Sequence, residues 1–136
     1  MKRRVALISS CAPPGSGCPV TGGGLRTEQL AQTLRAAGHS VRLFVEREAL
    51  SPKAPKILRE HSFDSNSLAK QVRSFRPSVL VVEQWALVPL IAELDKPLVI
   101  DLHGSLLLEN VFRRGDVDLV LDAGSKIQAL ARADLL

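Results

Sequence analysis

Val79-Leu80-Val81-Val82 is the stretch on which the fold turns. Four apolar residues follow one another, three of them β-branched, with no polar alternation. Both faces of such a segment require cover, which is the condition of a strand inside a parallel sheet. Pro77 before it and Glu83-Gln84 after it mark its ends. Val5-Ala6-Leu7-Ile8-Ser9 and Val41-Arg42-Leu43-Phe44-Val45 read as two further strands, and Leu98-Val99-Ile100-Asp101 as another. Lys56 to His61 reads as a short edge strand.

Helical spacing fills the intervals. Leu30, Ala31, Leu34 and Ala37 recur on one helical face, and Gly38 stands where a helix-ending glycine belongs. Leu68, Ala69, Val72 and Phe75 repeat the spacing, with Asp64 or Ser65 as cap and Pro77 as stop. Shorter helices are expected over about 86–94, 105–114 and 122–132. Strands alternating with helices predict right-handed β-α-β units. The expected fold is a three-layer, Rossmann-like α/β domain over residues 1–136, with a mostly parallel sheet flanked by helices on both faces.

Composition narrows the function. The chain is 46% apolar and 24% charged, a globular balance, with a formal charge of +4. Four Phe, one Trp and no Tyr leave little on which to stack bases, so no nucleic-acid partner is expected. The longest apolar region, Val79 to Leu94, is broken by Glu83, Gln84, Pro89 and Glu93 and is no membrane span. Lys2-Arg3-Arg4 ahead of Val5 to Ile8 imitates a signal peptide, but the apolar core falls short of the roughly 7–15 residues required. Cys11 and Cys18 share one loop and have no further ligands close by, which argues against both a disulfide scaffold and a zinc site. A cytoplasmic location is the simplest expectation. Ala133-Asp134-Leu135-Leu136 reads as the opening of another buried strand, so the chain is expected to be a fragment of a longer protein, cut inside or near a domain.

Parallel sheets bind ligands beyond the carboxyl ends of their strands, where the strand order reverses. With an order 3-2-1-4-5 that crevice lies between the first strand and Val79–Val82. Ser9, Ser10 and the loop through Thr21-Gly22-Gly23-Gly24 border it on one side, and Glu83-Gln84-Trp85 on the other. The glycines lead into a helix, whose N-terminal amides suit a phosphate or a sugar hydroxyl, with Arg26 adding a charged donor. His103, at a strand end before Gly104, is the best candidate for acid–base or positioning chemistry, and Asp101 could orient it. Trp85 is either a pocket wall or a core plug, and Glu83 either a binding group or a helix-start acid. Glu109 fits a solvated helix face; His39 and His61 carry no role. Glu46 sits where a ribose-binding acid would be, but Thr27 replaces the last fingerprint glycine and the glycines come too long after the strand for a dinucleotide site. No Gly-Lys-Ser/Thr phosphate loop occurs, and the strand ends lack a receiver domain's acidic cluster. Lys2, Arg3, Arg4, Arg42, Arg47, Lys53, Lys56 and Arg59 could turn a basic surface toward anionic lipid, a peripheral membrane contact; a solvated charged face is the default.

Gly22-Gly23-Gly24-Leu25-Arg26, followed by Leu30-Ala31, Leu34 and Gly38-His39-Ser40-Val41, resembles the opening of GT-B fold glycosyltransferases, most closely the large retaining, family 4-like group that uses nucleotide sugars. Arg76-Pro77-Ser78-Val79-Leu80-Val81 resembles the approach to that group's central strand, with Ser78 where Asp is commoner. Asp101-Leu102-His103-Gly104 is similar to its Asp-x-His-Gly strand end. The resemblance spans nearly the whole chain but only the first half of such an enzyme. It implies a two-domain transferase, with a small-molecule, glycan or lipid-linked acceptor on this domain and the nucleotide-sugar donor mainly on a second one. Gly23 and Gly24 would approach the donor phosphate or the acceptor, and His103 would touch the transferred sugar. The resemblance implies no cofactor and no bound metal, and this chain alone would be inactive. The alternative is a stand-alone nucleotide- or anion-binding module without catalysis.

Overall fold

A computed structural model describes residues 1–102 and 119–135. Five strands, β1 (Arg4–Ser9), β2 (Ser40–Glu46), β3 (Ser62–Phe63), β4 (Val79–Val82) and β5 (Leu98–Ile100), form one sheet in the order β3-β2-β1-β4-β5. Every pairing is parallel. Among the described residues the helices are α1 (Gly22–Ala36), α2 (Lys56–Glu60), α3 (Leu68–Phe75) and α4 (Leu119–Arg132), with a single 3₁₀ turn over Arg47–Ala49 and a 3₁₀ helix over Trp85–Ile91. None of them is long and apolar enough to cross a membrane.

Strand alternation sorts the core into two layers. Ala6, Ile8, Phe44, Leu80, Val82, Leu98 and Ile100 point to one face and pack with α3, the 3₁₀ helix and Ala129 of α4. Val5, Leu7, Leu43, Val45 and Val81 point to the other, under Ala31 of α1. Helices thus cover both faces of a parallel sheet, the Rossmann-like arrangement expected from the apolar runs. Gly38 closes α1 with φ of 87°, while His39 N–H donates to Leu34 O and Gly38 N–H to Arg35 O. That 6→1 and 5→2 pair demands a left-handed residue, which glycine adopts without strain.

Four elements differ from expectation. Lys56 to His61 is not a strand: Lys56–Glu60 is helical, and only Ser62–Phe63 pairs with β2. Pro55 O accepts from Leu58 and Arg59 N–H, starting a turn too short to show a helical period in sequence. The helix after Asp64 begins at Leu68, because the Asp64 carboxylate accepts from Asn66 and Ser67 N–H and holds a turn first. Trp85–Ile91 winds as 3₁₀ around Pro89, which lacks the N–H an α-helix would use. Leu135 makes a parallel bridge with Val99 but is 63% exposed, so the start of a sixth strand is present without the expected burial.

Candidate functional site

The register places the site. Ile8, Val82 and Ile100 stand side by side in β1, β4 and β5. The residues that follow, Ser9, Glu83 and Asp101, continue as one polar row at the carboxyl edge. Glu83 N–H donates to Ile8 O at 2.9 Å and Asp101 N–H to Val82 O at 2.8 Å. Alternation sends all three side chains to the α1 face, two positions beyond Leu7, Val81 and Val99. This is the switch point of the sheet, between β1 and β4.

Glu83 is 2% exposed and gathers the loop after β1. Its Oε2 accepts from Ser9 Oγ at 3.1 Å and from Ser10 N–H at 3.2 Å, and its Oε1 accepts from Cys11 Sγ at 3.1 Å. A carboxylate only accepts, so a cluster of inward donors is what a buried one needs. Burial first and the Glu83 carboxylate second push the Cys11 thiol up to about 11, while the Thr21 hydroxyl pulls the other way. Cys11 is therefore a hydrogen-bonding thiol near neutral pH, not a nucleophile.

The N-terminus of α1 closes the other side. Thr21 caps it, its Oγ1 accepting from Gly24 N–H at 3.1 Å. Gly22, Gly23 and Gly24 form the first turn of this helix, which corrects their reading as a loop that leads into it. Their dihedrals are not left-handed; the positive-φ glycines among the described residues are Gly15, Gly17 and Gly38. Gly24 is required by proximity instead. A Cβ there would stand 2.7 Å from the Ala12 carbonyl carbon and nearer still to its oxygen. The Gly22 and Gly23 amides, at the positive end of the helix, have no acceptor among the described residues.

Arg26 reaches from α1 to Asp101 in a two-pronged pair, Nε to Oδ2 and Nη2 to Oδ1, both 2.7 Å. Asp101 in turn raises the guanidinium's affinity for its proton. Beside this pair runs a groove of about 420 Å³, floored by Val81 and Val99 and walled by Leu30, Gln29 and Thr33. Apolar floor and polar rim lie within one opening.

Of the residues expected here, the described structure brings together Gly22, Gly23, Gly24, Arg26, Glu83 and Asp101. His103, Gly104 and Glu109 lie outside the described residues, as does the expected 105–114 helix. Trp85 is a core plug, 6% exposed and on the face opposite α1. Glu46 also alternates to that opposite face, away from the row, and burial and Glu48 raise its pKa. Arg4 and Arg42 stack on Phe75, Arg47 pairs with Asp64 and Lys56 with Glu60. Sequence reasoning missed Cys11 as a member of the site, and placed Thr21 in the bordering loop without its cap, for which the preference for Thr before a helix was the available signal. Thr27 is also buried at this end of α1, its hydroxyl without a partner among the described residues. Among the described residues no group of three His, Cys, Asp or Glu side chains is placed to hold a metal. No protein-family model matches the chain, and no curated protein is similar to it.

Proposed function

We propose that this chain is the acceptor-side domain of a sugar-transferring enzyme of the GT-B type. The observation that carries the reading is the groove beside Arg26 and Asp101. A sugar ring offers an apolar C–H face and a rim of hydroxyls. Val81, Val99 and Leu30 suit the first, and Gln29, Thr33, Arg26 and Asp101 suit the second. The resemblance of Gly22 to Val41 and of Asp101 to Gly104 supplies the enzyme class, and the site's position at the switch point agrees with it.

In this reading the chain's residues bind and orient rather than break bonds. Glu83 holds Ser10 and Cys11 in place from behind. The Gly22 and Gly23 amides meet an oxygen of the acceptor or of the donor phosphate. Arg26, fixed by Asp101, presents its guanidinium to the groove mouth. His103 positions the transferred sugar. The nucleotide of the donor is held by a second lobe.

The test is sugar transfer by the complete gene product, offered a panel of nucleotide sugars and glycan acceptors. His103→Ala then lowers turnover by roughly 10²-fold or more, the scale of a lost acid–base or positioning group. Transfer that survives this change removes His103 from the site. A second reading, a nucleotide- or anion-binding module, draws on the Gly22 and Gly23 amides. Calorimetry of the 136-residue chain with nucleotides and nucleotide sugars separates the two: tight binding favours the module, and silence favours the acceptor domain.

A further inference from the structure

We propose that the open flank of β2 is a docking edge for an extended peptide whose side chains alternate between apolar and acidic. β3 covers only Val45 and Glu46 of this strand, so residues 40–44 have no strand neighbour on that side among the described residues; α2 and His61 stand beside them instead. The ladder decides which groups are offered. Ser40 N–H donates to Arg3 O at 2.8 Å, so the peptide groups of residues 40, 42 and 44 turn to β1. Val45 N–H points the other way, to His61 O at 3.4 Å. The N–H and C=O of Val41 and Leu43 therefore face outward, and no partner meets them among the described residues. Two donor–acceptor pairs at strand spacing are what an added strand reads.

The surroundings fit such a strand and set its chemistry. A groove of about 740 Å³ follows this flank between α1 and α2. Leu25 and Ile57 line it while 46% and 59% exposed, which leaves apolar surface beside the strand. Successive side chains of an added strand would point to opposite faces. On the α1 face they meet Leu25 and Leu43. On the other they meet Arg42, which stacks on Phe75 at 4.5 Å and has no carboxylate partner among the described residues. Arg4 lies over the same ring at 4.7 Å, so the two guanidiniums reinforce one positive field. Arg42 also lowers the pKa of His61 beside it, second to burial. This field attracts acidic side chains. It also disfavours a second copy of the chain, whose own Arg42 would be brought to the same edge.

The experiment titrates the isotope-labelled 136-residue chain with a blocked hexapeptide of alternating valine and glutamate, read by backbone amide spectra and exchange. Expected are shifts and slowed exchange at Val41 and Leu43, and no comparable effect from a valine–lysine peptide. Of two peptides N-methylated on opposite alternating sets, one loses binding and the other keeps it, because only one set faces β2. Val41→Pro removes an outward N–H without touching the bonds to β1 and weakens binding by about tenfold. The proposal is overturned by equal binding of the lysine peptide, by loss with both or neither N-methylated form, or by shifts that avoid Val41 and Leu43. It is equally overturned if the free chain sediments as a dimer with those two amides already protected.

Discussion

Gly24→Ala and Gly22→Ala are the same chemical change two residues apart in the first turn of α1, and the structure gives them opposite signs. An alanine in a helix gains about 1 kcal/mol over glycine. At Gly22 a Cβ meets nothing within 4 Å, so part of that gain is expressed. At Gly24 the new carbon would lie 2.7 Å from the Ala12 carbonyl carbon, with Pro13 N at 3.3 Å. These are backbone atoms, and they cannot rotate away. Ala12 is 6% exposed, and Glu83 pins the residues just before it. Helix and loop must therefore separate by roughly 1 Å, an overpacking strain of about 1–3 kcal/mol or more. The propensity gain does not offset it. The gain is common to both sites, so we expect Gly24→Ala to be less stable than Gly22→Ala by about 1–3 kcal/mol, the strain itself. Urea unfolding followed by Trp85 fluorescence and circular dichroism measures both, provided the two probes coincide. A Gly24→Ala midpoint at or above that of Gly22→Ala would refute the close approach of α1 to the loop after β1.

Glu83→Ala strands the donors of Ser9, Ser10 and Cys11 in a buried site. It should cost about 3 kcal/mol in urea unfolding and speed amide exchange at Ser10; unchanged exchange there would count against the staple. The Cys11 thiol sits at about 11, above its ordinary 9.0, so the folded chain keeps a proton that the unfolded chain releases. Stability therefore declines as pH rises from about 9 to about 11, and Glu83→Gln, which removes the negative charge, should shift Cys11 alkylation to lower pH. Trp85→Ala, made at a side chain 6% exposed, should lose about 3–5 kcal/mol. Blue-shifted emission from native Trp85 is the companion measurement, and water-like emission would contradict its burial.

The sheet was legible because strands buried on both faces read as plain apolar runs, and Val5–Ile8 and Val79–Val82 admit no other cover. The strand order was a supposition from the alternating pattern, and the sheet has it. Lys56 to Phe63 was not legible: a five-residue helix has no period, and a two-residue strand exists only through its partner, Val45-Glu46. The triple glycine suggested a loop because glycine lowers helix propensity. What offsets this locally is the Thr21 cap, and what requires a glycine at 24 is tertiary, the Ala12 carbonyl against it. Glu83 could be placed at a strand end. That it turns its carboxylate back on the loop after β1 depends on residues more than seventy positions away, beyond any local pattern.

The central proposal is that a sugar-bearing ligand lies in the groove under α1, over β4 and β5 and beside Arg26 and Asp101. Backbone amide spectra of the labelled chain, titrated with simple methyl glycosides, test it most directly. The account predicts shifts gathered at Arg26, Gln29, Leu30, Thr33, Val81, Val99 and Asp101, with Gly22 and Gly23 beside them, lost on Arg26→Gln while the fold persists. Shifts gathered instead at the amino edge, around His39, Ser78 and Lys96, would contradict it.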